Sequence, residues 1–83
     1  MQSFYDYCVY VHIDKNFDIR FVGYGRPHEI LNREWRGAKW NKIFQHSPIM
    51  ADILDKNLSL LEAMDLTLER IQLLKKDGYK LIN

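Results

Sequence analysis

The sequence predicts an α/β (α+β) fold: a small three-stranded antiparallel sheet flanked by helices, in the order β-β-α(α)-β-α. Three observations predict it. Residues 5–13 alternate apolar and polar side chains with period two, the spacing of a half-buried strand. A polar turn and a second β-rich run follow directly. Towards the C-terminus, Ser59-Leu60-Leu61-Glu62 opens a long run with helical spacing, and its Ser-x-x-Glu pattern is a capping box.

The first strand carries Tyr5, Tyr7, Val9, Val11 and Ile13 on the face expected to meet the core. Asp6, Cys8, Tyr10, His12 and Asp14 take the other face, which sets Tyr10 beside His12. Asp14, Lys15, Asn16 and Asp18 make a turn in which short Asx side chains bond their own backbone. Residues 19–23 return as the second strand of an antiparallel hairpin. Gly23 and Gly25 bracket Tyr24, a spacing that lets the chain turn sharply and pass close to something. The further glycine and lysine of a dinucleotide or P-loop cradle are absent.

Pro27 suits the first position of a helix. From residue 28 to 44 the spacing is helical but interrupted at Gly37. Ile30, Leu31 and Trp35 share one stripe, and Trp40, Ile43 and Phe44 a second, with Arg33 and Arg36 flanking the first. Apolar neighbours favour core positions for both tryptophans over stacking platforms for bases. Residues 49–54 read as a third strand that Pro48 can precede, and residues 55–57 as a loop. The last helix runs from its Ser59 cap to about Asp77. Gly78 stands at C′, and Lys75 and Lys76 sit at the negative end. At 100° per residue, Leu60, Met64, Leu68, Ile71 and Leu74 define its buried arc. Thr67 falls inside that arc and Glu69 nearly opposite. Residues 79–83 are expected to dock back as a short extended tail.

Eighty-three residues make one domain, 1–83, and an apolar content of 47% supplies a core, which excludes global disorder. Between residues 20 and 42, six bases (Arg20, Arg26, Arg33, Arg36, Lys39, Lys42) face two acids (Glu29, Glu34), on a chain whose net charge is only +1. Basic charge gathered in one segment points to a polyanion or an acidic partner surface. The single cysteine, Cys8, excludes a disulfide within the chain and fits a reducing compartment. Mid-strand, it reads as a small apolar residue rather than a nucleophile. No apolar run approaches the roughly 20 residues that span a bilayer, so a cytoplasmic protein without a membrane partner is expected. His12 beside Tyr10 is a candidate general base. His28 is a further candidate base for an active enzyme, His46 has no visible partner, and no His/Cys spacing suggests zinc.

The order of elements and the motifs resemble the GIY-YIG nuclease superfamily, in the subgroup whose second motif reads like VGKGR. Val9-Tyr10-Val11 stands at the GIY tripeptide, Phe21-Val22-Gly23 at YIG, and Gly25-Arg26 continues the second motif. Residues 49–71 resemble the family's third strand, loop and glutamate-bearing helix, and Leu81-Ile82-Asn83 its closing segment. The resemblance implies phosphodiester hydrolysis with one divalent cation, Mg²⁺ or Mn²⁺, held by the helix glutamate. Strand tyrosines would position the water and an arginine would clamp the phosphate.

Carried over by position, Tyr10 matches the first tyrosine, Arg26 or Arg33 the arginine, and Asn83 the asparagine. Phe21 replaces the second tyrosine and lacks its hydroxyl. The metal-holding position falls on Thr67, a poor substitute for a carboxylate. The expectation is therefore a catalytically degenerate domain, phage-like in its small size, with no cofactor. It would bind nucleic acid, DNA before RNA, or a host protein, acting as a phage-type inhibitor or regulator, as a monomer or homodimer in a bacterial cytoplasm. The alternative is an active endonuclease that recruits Glu69 to the cation.

Overall fold

The computed structural model describes residues 5–34 and 36–83. Three strands, β1 (Tyr7–Ile13), β2 (Ile19–Gly25) and β3 (Met50–Leu58), form an antiparallel sheet in the order β2-β1-β3. A one-turn 3-10 helix, Pro27–Glu29, and helix α1 (Ala38–Phe44) lie between β2 and β3, and helix α2 (Leu60–Lys76) follows β3. The fold is thus α+β, in the element order expected. The Trp35 stripe position lies outside the described residues.

The alternation along β1 is realised, and both of its faces are buried. Val9 and Val11 join Val22 and Ala63 of α2 in one cluster. Cys8 and Tyr10 join Ile30 in a second, on the opposite side of the sheet. His12 shares that second face with Trp40 and Phe44, both fully buried. Tyr5 falls outside the strand and is exposed.

The hairpin turn forms as its composition dictates. Asp14 Oδ1 accepts from the backbone N–H groups of Asn16 (2.9 Å) and Asp18 (3.0 Å). Arg20 Nη1 reaches Asp14 Oδ2 at 3.3 Å. Burial alone would raise the Asp14 pKa, but the two N–H groups and the guanidinium outweigh it and hold the carboxyl below its ordinary value.

Three extents differ from expectation. β2 continues straight through Gly23 and Gly25, which pair with Tyr10 and Cys8, so the glycines mark a close approach and not a corner. Among the described residues of the 28–44 segment, only 28–29 and 38–44 are helical. Gly37 is the N-cap of α1, and its φ of 89° is a conformation that favours glycine. β3 runs on through Asp55, Lys56 and Asn57, whose composition is that of a loop. Bulges opposite Tyr7–Tyr10 absorb the extra residues, and Asn57 takes a left-handed φ of 59°.

α2 opens with the capping box: Glu62 N–H donates to Ser59 Oγ (3.2 Å), and Ser59 N–H to Glu62 Oε1 (3.0 Å). Asp77 caps its end, and Gly78 follows in a left-handed conformation. The helix is rotated from the predicted arc. Small residues, Ala63 and Thr67, face the sheet, with Leu66, Ile71 and Leu74 packed at the margin. Leu60, Met64 and Leu68, expected inside, are exposed. Arg70 grips Asp55 on β3 with two hydrogen bonds, Nε to Oδ2 at 3.0 Å and Nη2 to Oδ1 at 2.9 Å.

The tail docks on the outer edge of β2, as its extended character suggested. Ile82 N–H donates to Arg20 O (2.8 Å), and the Asn83 side-chain amide bonds both the N–H and the C=O of Val22. That amide completes a ladder position on the outer strand edge.

Candidate nucleic-acid interface

The candidate site gathers on the face of β1 that carries Tyr10. Tyr10 and Phe21 stand on neighbouring strands with ring centroids 6.4 Å apart. The end of the Tyr10 ring lies over Gly23. A Cβ there would come within 2.7 Å of the Tyr10 phenol and 2.8 Å of the Phe21 ring. Glycine is the one residue that leaves the ring its place.

Arg36 closes over this pair from the segment preceding α1. Its Nη1 donates to the Tyr10 hydroxyl at 2.6 Å. Its Nε donates to Asn32 O (2.6 Å), and its Nη2 to Glu29 O (2.9 Å) and Ile30 O (3.2 Å). One guanidinium thereby ties a tyrosine to three carbonyls of the irregular segment. Burial pushes the Tyr10 phenol above its ordinary pKa despite the Arg36 hydrogen bond, so it stays protonated at neutral pH. A neutral phenol accepting from Arg36 is a poor base. Tyr10, Tyr24, Glu29, Asn32, Glu34 and Arg36 line an open pocket of about 200 Å³ at this point.

His12, the candidate base, is held entirely by protein. Its Nε2 donates to Ile30 O (2.7 Å) and its Nδ1 accepts from Trp40 Nε1 (3.0 Å), which fixes the tautomer. Burial lowers its pKa to about 4. Full burial and two satisfied nitrogens make it a structural residue.

The six basic residues divide in two. Arg20 and Arg26 are neutralised by carboxylates, Asp14 at 3.3 Å and Asp6 at 3.1 Å, and Arg26 lies over the Tyr7 ring. Arg33 and Arg36 are bound differently. Arg33 donates to Phe44 O (2.7 Å) and Ser47 O (2.6 Å), capping the carbonyl end of α1. Among the described residues neither Arg33 nor Arg36 forms an ion pair, so their charge is not cancelled. Lys39 and Lys42 are exposed on α1, three residues apart and so on one side of the helix. His46 follows four residues on, also exposed. The free charge of the segment is therefore concentrated around α1.

The remaining family positions do not converge. Arg26, Arg33 and Asn83 bond Asp6, the end of α1 and the edge of β2 respectively. Thr67 is buried as predicted, and its hydroxyl donates to Ala63 O at 2.7 Å within its own helix. Thr67 and Ala63 face the Val9–Val11 side of the sheet, and Tyr10 faces the other. Glu69 points to solvent. These residues do not fit the divalent cation that the resemblance implies. No carboxylate of α2 meets the sheet beside Tyr10, and the matching hydroxyl is already used.

The sequence could not have indicated Arg36 as the partner of Tyr10, because nothing in its spacing separates a solvated arginine from one folded over a strand. Comparison of the chain with protein-family models, curated proteins and solved structures returns no match. Among the described residues, no helix is long and apolar enough to cross a membrane.

Proposed function

We propose that this chain is a GIY-YIG-like domain that has lost catalysis and acts as a nucleic-acid-binding module, preferring DNA to RNA. It carries no cation and cuts nothing. The observation that carries this reading is the state of the arginines. Arg33 and Arg36 are positioned by carbonyls and a phenol rather than by carboxylates, so they keep their charge. Exposed Lys39 and Lys42 extend that charge along α1. A phosphate backbone following α1 would meet all four, with the Tyr10 hydroxyl and Asn32 at the adjacent pocket for a base or sugar edge. The orientation of Thr67 and Glu69 supports the non-catalytic half of the reading.

Titration of the protein with short duplex DNA across a salt series tests it. Affinity should fall steeply with salt, because each neutralised phosphate contributes a slope of about 0.9. Lys39→Ala/Lys42→Ala should reduce that slope by about 2 and weaken binding uniformly across sequences. Binding that ignores both salt and these substitutions would remove α1 as the phosphate-reading surface. No binding to DNA or RNA would leave a host protein as the partner.

A further inference from the structure

The outer side of α2 carries an apolar seam that the domain itself does not cover. Leu61 and Leu68 are 73% and 62% exposed, and Leu60 and Met64 about 40%. Leu61, Met64, Leu68, half-buried Ile71 and Lys75 follow one another at spacings of three, four, three and four. That repeat presents one seam to a facing helix. Four large side chains in water on one helix face exceed the scatter of single exposed hydrophobes that a surface tolerates.

Charge along the same helix says what covers the seam. Its first half carries Glu62 and Asp65, and its last turn carries Lys75 and Lys76. A second copy laid antiparallel about a two-fold axis near Leu68 sets the acidic half of each helix beside the basic turn of the other. The two helix dipoles then oppose favourably. A parallel arrangement would stack like charges at both ends. The chain's net charge of +1 leaves little overall repulsion between copies. The seam is also separate from the Tyr10 face, since α2 packs on the opposite side of the sheet. We infer that the protein forms an isologous homodimer through antiparallel α2 helices, with Leu61, Met64 and Leu68 as its apolar centre. Two copies then display their basic α1 faces outward, so one assembly holds two nucleic-acid sites.

Sedimentation equilibrium of the full chain tests this, with circular dichroism reporting the fold of each variant. The wild type should sediment as a dimer at tens of micromolar. Leu68→Glu, which places a charge at the two-fold twice over, should weaken it roughly a hundredfold while helicity is unchanged. Asp65→Lys and Lys75→Glu should each weaken self-association roughly tenfold, and an equimolar mixture of the two should associate again as a heterodimer. A wild type that remains monomeric throughout would overturn the inference and leave the seam to a different partner. A dimer that Leu68→Glu leaves intact, or a mixture that fails to reassociate, would overturn it equally.

Discussion

Trp40→Ala should destabilise the domain by about 3–5 kcal/mol, enough to unfold a large share of the molecules at 37 °C. Trp40 is completely buried and stacks on Phe44 with centroids 5.0 Å apart. It fills the space between α1 and β1, so truncation leaves a cavity that a sheet and a short helix cannot collapse around. It also donates to His12 Nδ1, and removing the indole leaves that buried nitrogen without its donor. Trp40→Phe separates the two effects. It keeps most of the volume and loses only the N–H, so it should fall about 1–3 kcal/mol below the wild type. Urea midpoints of the three proteins measure this. Equal midpoints for Trp40→Ala and the wild type would show that the second face of β1 is not a core.

Acidification from pH 7 to pH 4 should remove about 3 kcal/mol of stability, most of it through His12. The unfolded histidine takes up its proton near 6.5, and the folded one only near 4. Between those values the unfolded chain binds more protons, so stability falls as pH falls. The contribution is complete above pH 6.5 and gone below about pH 4. The physical cause is burial, reinforced by hydrogen-bond polarity: a proton on Nδ1 would point at the Trp40 N–H. Asp14 adds a second loss at lower pH, because its depressed pKa stabilises the fold only while the carboxylate is charged. Urea midpoints at half-unit steps of pH should decline from 6.5 to 4 in the wild type and stay flat over that window in His12→Gln. A flat wild-type profile would contradict the burial of His12.

These two experiments probe the part of the fold that the sequence made most legible. Period-two alternation along β1, the Asx turn at Asp14 and the Ser59–Glu62 box each depend on neighbours within a few residues, and each forms as expected. The lost information is of a different kind. Asp55 and Lys56 read as loop because charged residues resemble loops, yet an edge strand has one side in water and Arg70 waiting for Asp55. Hydrophobicity alone assigns leucines to the buried arc of α2, whereas close packing of the helix on the sheet favours Ala63 and Thr67. The same difference in phase leaves Leu61, Met64 and Leu68 on the outer seam.

The candidate site divides along the same line. That Tyr10 and Phe21 share a face follows from strand parity and pairing. That Arg36 sits on Tyr10, while Arg33 caps α1, depends on how an irregular segment folds over the sheet. No periodicity encodes that path. Thr67 and Glu69 lie as expected, one inward and one outward, because Thr67 falls where the expected and the observed arcs overlap.

Cleavage is the most direct test of the central claim, that this scaffold has a phosphate-binding face and no catalytic centre. Plasmid DNA, linear DNA and RNA are incubated with the pure protein in Mg²⁺ and in Mn²⁺ and resolved on a gel. The account predicts intact substrates at protein concentrations that saturate binding. Cleavage that disappears in Glu69→Ala and survives in Thr67→Ala would contradict it, by showing that the outward carboxylate of α2 serves a working nuclease.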